Sequence, residues 1–307
     1  MLTSTIDSVH QILVVGSGAM GSQIAALCAL AGYPTTTYDV EQNALDRAAD
    51  QLRARLTGDV AKGRRTQADV DAAFDRLRFS ADLDAAATTA DFVIEAAVEQ
   101  LDVKRQIFAR LDAVAPAQAI LATNSSAIVS SQLADATGRP DRVCNMHFFN
   151  PALVMRCVEI VRGPQTSPAT VATTVGLARR LGKEPVVLAK EIPGFVANRI
   201  LNAVRDEAIF LLEEGVASVE AIDTACRTAL GYPMGPFELM DLTGIDIGYR
   251  AKLARHAVSG DPRDLPSRTV TGLVERGRLG RKTGAGFYTY DDQGQRHARP
   301  DDEAATR

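Results

Sequence analysis

Residues 12–39 read ILVVGSGAMGSQIAALCALAGYPTTTYD, and this stretch decides the fold. Ile12 to Val15 are apolar and suit a buried strand. They run into Gly16, Gly18 and Gly21 in GxGxxG spacing, then an apolar-periodic helix to Ala31, a stop at Gly32, and TTTYD as a second strand. That is a βαβ opening. The first glycine permits the tight turn, the second lets backbone approach a pyrophosphate, and the third lets helix and strand pack closely. The helix start at Ala19 and Met20 turns its positive dipole end toward that anion. Asp39 follows 18 positions after Gly21. A carboxylate there accepts from ribose hydroxyls and repels a 2′-phosphate, so the expected cofactor is NAD.

Working outward, residues 43–80 change to two charged helical stretches, broken around residues 58–65, with Thr66 and Asp69 placed to cap the second. They read as a helical hairpin inserted into the sheet domain. Apolar, β-rich segments then return at DFVIEAA, AILATNSS, RVCNMHFFNP and PVVLAKE, separated by helical patterns at 103–114 and 169–181. The fold class is therefore α/β, a Rossmann-type doubly wound and mostly parallel sheet over residues 1–190. From residue 193 strand patterns stop. Amphipathic helices are expected near 198–214, 218–230, 236–242 and 245–256, giving an all-helical domain over 191–290. Residues 291–307 hold no apolar side chain larger than alanine and read as a flexible tail.

Composition narrows the function class. The chain has 307 residues, 46% hydrophobic and 23% charged, which is globular and long enough for two domains. With 34 Lys and Arg against 38 Asp and Glu, the net charge of -4 offers no basic excess for nucleic acid. No apolar run approaches the ~18 residues of a membrane span, and MLTSTIDSVH lacks the cationic region of a leader. Cys28, Cys144, Cys157 and Cys226 are scattered without metal-ligand spacing, which points to reduced thiols in a cytoplasmic protein and implies no metal.

Strand C-terminal ends in such a sheet converge on one crevice. Candidates for chemistry there are Ser126 after a strand, His147 at a strand end and Glu159 downstream, with Asn198 opening the second domain. A neutral imidazole with a carboxylate at its other nitrogen is a competent general base. Taken alone, the same residues also fit a packed histidine, a solvated strand carboxylate and an ordinary turn serine.

Five further stretches bear on that choice: HFFNP (147–151), VEI around Glu159, PGFVANR (193–199), GYPMGPFELMD (231–241) and GRKTGAGFY (280–288). In this order and spacing the chain resembles the 3-hydroxyacyl-coenzyme A dehydrogenase family from Ile12 to Tyr290. The resemblance implies an NAD-dependent enzyme that moves hydride between nicotinamide and the 3-carbon of a short acyl thioester. It places the base on His147, its orienting carboxylate on Glu159, the substrate-hydroxyl serine on Ser126 and the active-site asparagine on Asn198. The family pattern NTSS reads NSSA here, so the neighbouring serine is replaced by Ala127. Cofactor contacts fall on Ala96, Glu99 and Lys104, with Asn150 near the nicotinamide. Read unaided, Glu99 and Lys104 look like charges on a solvated helix start.

Family members meet the coenzyme A moiety with a lysine of the hairpin, and Lys62 is the match, with Arg64 and Arg65 beside it. Unaided, this is a solvated basic turn. The resemblance also implies a homodimer through the helical domain, and substrate positioning from Asn198 as the two domains close. Two rivals are a dehydrogenase of a free hydroxyacid, like gulonate dehydrogenase and lambda-crystallin, and an NAD-binding module without turnover. HFFNP favours the thioester branch, and the four polar residues together disfavour a mere binder.

Overall fold

A computed structural model describes residues 5–297. The quoted opening forms as read: β1 (Ile12–Val15), α1 (Ala19–Leu30) and β2 (Thr35–Tyr38), with β1 and β2 parallel. Ile12 and Val14 enter one hydrophobic core while Leu13 and Val15 enter another. Successive side chains of a strand point to opposite faces, so a continuous apolar run marks a sheet covered on both sides. Helix α1 is buried along most of its length, which its apolar sequence demands.

The remaining strands of this unit are β3 (Leu77–Ser80), β4 (Phe92–Glu95), β5 (Ile120–Thr123), β6 (Val143–Phe148), β7 (Cys157–Arg162) and β8 (Glu184–Leu188). They form one sheet in the order β3-β2-β1-β4-β5-β6-β7-β8. All adjacent pairs are parallel except β6 with β7. The chain order reverses between β1 and β4, which is where such sheets open a crevice for ligands. Helices α2 (Gln42–Ala61), α3 (Gln67–Arg76), α4 (Leu83–Ala87), α5 (Leu101–Val114), α6 (Ser131–Ala134) and α7 (Pro168–Arg180) connect the strands.

Two details of the hairpin differ from expectation. Helix α2 continues through Gly58 and ends at Ala61, because Leu45, Ala48, Leu52 and Leu56 bury one face. That burial outweighs a mid-helix glycine, which costs only about 1 kcal/mol relative to alanine. Residues 77–80 are not helical but form edge strand β3, pairing Leu77 with Thr35 through Ser80 with Tyr38. Four residues are too short a window for period to separate strand from helix. The capping of α3 is as expected: Thr66 Oγ1 accepts from Asp69 N at 3.1 Å, and the Asp69 side chain returns a bond to the Thr66 backbone.

The chain divides into two compact units between Phe195 and Val196. The second unit holds α8 (Ala197–Glu213), α9 (Val219–Ala229), α10 (Pro236–Thr243), α11 (Ile245–Ser259) and α12 (Arg268–Glu275). Its core gathers Ile209, Ile222, Phe237, Leu273 and Phe287. Helix α12 was not expected from RTVTGLVE, whose Thr, Val and Gly are poor helix formers. It forms because Ser267 caps it and Val270 and Leu273 are buried. Nor is the unit purely helical, since β9 (Thr289–Tyr290) and β10 (Arg296–His297) pair antiparallel. The stretch read as a tail from residue 291 thus carries strand pairing at Arg296 and His297, and its remainder lies outside the described residues.

Buried acids bind this unit together. Asp223 accepts from Phe237 N, Glu238 N and Tyr288 Oη, while Asp241 accepts from Phe287 N, Tyr288 N and Tyr290 Oη. Burial pushes both carboxyls above the usual Asp range, against the pull of those donors. These bonds fold GRKTGAGFY back onto α9 and α10.

Candidate active site

The glycine turn has the geometry its sequence calls for. Gly16 stands at φ 104, and a Cβ on Gly21 would run into the Gly16 carbonyl. Nothing lies within 4 Å of the Cβ position of Gly18, so the backbone there opens to a ligand. Ala19 is exposed and Met20 half-buried at the start of α1. Asp39 follows β2 directly, and its Oδ2 accepts from Ser17 N and Ser17 Oγ, both at 2.8 Å. This carboxylate is therefore held beside the glycine turn with lone pairs left for a ribose. Open backbone, helix start and fixed acid together suit a dinucleotide.

Ends of β4 and β5 bring a second group of side chains together. Glu95, the last residue of β4, is 0% exposed. Its Oε1 accepts from Ala97 N and from Lys104 Nζ, both at 2.6 Å, and its Oε2 accepts from Thr123 Oγ1 at 2.6 Å. Lys104 Nζ also donates to Ala97 O at 3.3 Å and lies 3.4 Å from Glu99 Oε2. Glu99 in turn accepts from Ser125 Oγ, which itself accepts from Ile128 N. The loop after β4, carrying Ala96 and Glu99, is thereby tied to the loop after β5, carrying Ser126.

This corrects the unaided reading of Lys104 as a solvated charge. It is 1% exposed, and its ammonium faces protein oxygens. A polar strand residue supports the serine loop from below: Asn145 Nδ2 donates to Ser125 O and Ile128 O, and Asn145 Oδ1 accepts from Ser130 N. Ser126 is half-buried and its carbonyl accepts from Gly194 N at 2.9 Å.

His147 and Glu159 are direct cross-strand partners in the antiparallel register of β6 and β7. His147 Nδ1 donates to Glu159 Oε2 at 3.0 Å, with the two residues 6% and 1% exposed. Since a carboxylate can only accept, Nδ1 is the donor of this pair, and Nε2 is the ring nitrogen left for other partners. Phe149 and Phe195 meet the imidazole edge-on, with ring centroids 4.6 and 5.5 Å away. Asn150 is exposed just beyond β6 and precedes Pro151 through a cis peptide bond.

Lys62 is exposed at the end of α2. Arg64 and Arg65 beside it approach Asp59 at 3.4 and 3.8 Å, whereas Lys62 has no ion pair among the described residues. Asn198 is half-buried in the first turn of α8, in the second unit. Glu95, Thr123, Ser125, Asn145, Phe149 and Phe195 were not singled out by sequence reasoning. A signal existed for two of them: Glu95 ends FVIE and Asn145 interrupts VCNMHF, polar groups in strands buried throughout. Such groups need partners.

Residues 11–192 match the family described as "3-hydroxyacyl-CoA dehydrogenase, NAD binding domain", and residues 194–290 match "3-hydroxyacyl-CoA dehydrogenase, C-terminal domain". The chain belongs to the 3-hydroxyacyl-CoA dehydrogenase family. Its cofactor is NAD, as the fingerprint and Asp39 required. The "Probable 3-hydroxybutyryl-CoA dehydrogenase" of Bacillus subtilis (strain 168) is 39% identical over 285 residues, 93% of this chain and 99% of that one. The "3-hydroxyadipyl-CoA dehydrogenase" of Escherichia coli (strain K12) is 41% identical over 284 residues, 92% of this chain but 59% of that longer one. The crystal structure of (S)-3-hydroxybutyryl-CoA dehydrogenase PaaH1 from Ralstonia eutropha superposes with a TM-score of 0.84 at 37% identity, covering 92% of this chain and 100% of that one. No helix among the described residues is long and apolar enough to cross a membrane.

Proposed function

We propose that this 3-hydroxyacyl-CoA dehydrogenase acts on a short L-3-hydroxyacyl-CoA such as 3-hydroxybutyryl-CoA, reversibly, with His147 as general base. The buried His147–Glu159 pair carries this reading. Bound NAD supplies the hydride acceptor, its nicotinamide ring. On this chain, His147 Nε2 takes the 3-hydroxyl proton while the C–H bond breaks with its electron pair leaving as hydride, and the carbon–oxygen double bond forms. Glu159 holds the imidazole tautomer and stabilises the imidazolium that results. Ser126 holds the substrate oxygen, and Asn198 helps to position the substrate.

Cofactor contacts fall to Gly16, Gly18, Ala19, Met20, Gly21, Asp39, Ala96, Glu99, Ser126 and Asn150. Lys104 serves that site by holding Ala97 and Glu99 from below, and Lys62 meets the coenzyme A phosphates. We also propose a homodimer formed through the helical unit, where Ile200, Phe210 and Leu253 are exposed. Four free cysteines favour a reducing, cytoplasmic setting.

A panel of 3-hydroxybutyryl, longer-chain and 3-hydroxyadipyl thioesters, with free 3-hydroxybutyrate alongside, tests the substrate through NADH formation. Fastest turnover of a short thioester is expected; preference for the free acid would overturn the thioester reading. His147→Ala should lower kcat by about 10²–10⁴-fold with NADH affinity unchanged. Near-normal turnover would remove His147 from the mechanism.

A further inference from the structure

Phe195 is the one non-glycine residue with positive φ, at 49, among the described residues. For a bulky L-residue this is an unfavourable backbone, because Cβ crowds the neighbouring carbonyl. Glycine adopts it freely, as Gly194 does at φ 79 in the preceding position. The phenylalanine side chain is nevertheless 1% exposed and packed with Val129, Val161 and Leu188. Its ring presents an edge-on contact to His147, at a centroid distance of 5.5 Å and an interplanar angle of 61°. The same turn reaches the serine loop, where Gly194 N donates to Ser126 O at 2.9 Å.

We infer that Phe195 is a positioning residue for the reaction: its left-handed backbone delivers the ring against His147 and couples the imidazole to the Ser126 loop through one turn. The inference rests on His147 being the general base. An imidazole anchored only through Nδ1 can swing about that bond, carrying Nε2 off the substrate oxygen. Ring contacts from Phe195 and Phe149 remove this freedom. They also keep water from competing for Glu159 Oε2, which strengthens the bond that sets the tautomer. A leucine of similar bulk would fill the volume without the flat edge. A glycine would relieve the backbone and leave the imidazole loose.

Glycine and alanine at this position separate positioning from packing. Phe195→Gly relaxes the backbone and Phe195→Ala keeps its strain, so the glycine variant should melt at the higher temperature. If Phe195 positions His147, both should lose kcat alike, by about tenfold or more given the sensitivity of rate to small misplacements, with the NAD KM unchanged. Phe195→Leu should melt close to the unmodified protein and still lose kcat, which keeps the test open if the smaller variants fold poorly. The chain has four histidines, so the ring nitrogens of His147 are assignable by nitrogen NMR. A single Nδ1–H tautomer is expected in the unmodified protein and an averaged ring in the variants. Normal kcat in Phe195→Gly or Phe195→Leu, activity that follows melting temperature, or an unchanged tautomer signal would overturn the inference. His147→Gln serves as the separate control: if it keeps normal turnover, the general-base reading itself falls.

Discussion

Lys104 Nζ lies 2.6 Å from Glu95 Oε1, and the two side chains are 1% and 0% exposed. An ammonium and a carboxylate closed off from water must satisfy each other. Here the pair also grips Ala97 and Thr123, which makes two loops at the crevice one body.

Removing one partner strands the other charge. Lys104→Met is expected to lower stability by about 3–5 kcal/mol in urea melts, the usual penalty for breaking a buried pair. Glu95→Gln added to it should recover much of that loss, since an amide can still serve Ala97 N and Thr123 Oγ1. A double variant as unstable as the single one would show that the pair is not the source of the effect.

Asp39 is fixed by Ser17 and followed by Val40, Glu41 and Gln42, with no arginine among them to receive a 2′-phosphate. NAD should therefore exceed NADP in kcat/KM by at least about tenfold, because like-charge juxtaposition costs several kcal/mol. Asp39→Ala should narrow the gap. Equal kcat/KM for the two cofactors with the unmodified protein would refute this role.

Among the described residues, Lys62 is the basic residue of the hairpin turn left without an acidic partner, Asp59 lying against both arginines. Lys62→Glu should raise the KM for acyl-CoA several-fold, an exposed ion contact being worth about 0–1 kcal/mol and a hydrogen-bonded phosphate somewhat more. Salt should shrink the effect, since screening acts over about 10 Å at 0.1 M. A thioester truncated before the nucleotide should show none. An equal effect on both substrates would instead place the change in folding.

Acid should remove one contribution to the helical unit. A hydrogen bond from Lys282 holds the Asp246 carboxyl below its ordinary value of 3.8, with attraction to Lys282 and Arg250 adding to it and burial opposing. A depressed folded value means that the stabilisation is complete above the unfolded value and fades as pH falls through the folded one. Lys282→Met should therefore be less stable than the unmodified protein near neutral pH, with the gap closing below about pH 3.8. A gap that stays constant from neutral to acid in urea melts would rule out this linkage.

Read by itself, the sequence determined the βαβ opening, the task of each glycine in 16–21, the acid at 39 and the succession of sheet and helices. All of these are local: a glycine turn, a cap or an apolar period expresses itself within a few residues of chain. Family motifs then brought His147, Glu159 and Ser126 forward as a set. Tertiary structure alone decided that His147 faces Glu159, because the antiparallel register of β6 and β7 turns a separation of 12 residues into direct adjacency. It also decided that Lys104 is buried against Glu95, that residues 77–80 join the sheet edge, and that Phe195 takes a left-handed backbone beside the imidazole. Each of these depends on which distant segment packs alongside. That choice is made by the burial and hydrogen bonding of the assembled sheet, which no local stretch of the chain contains.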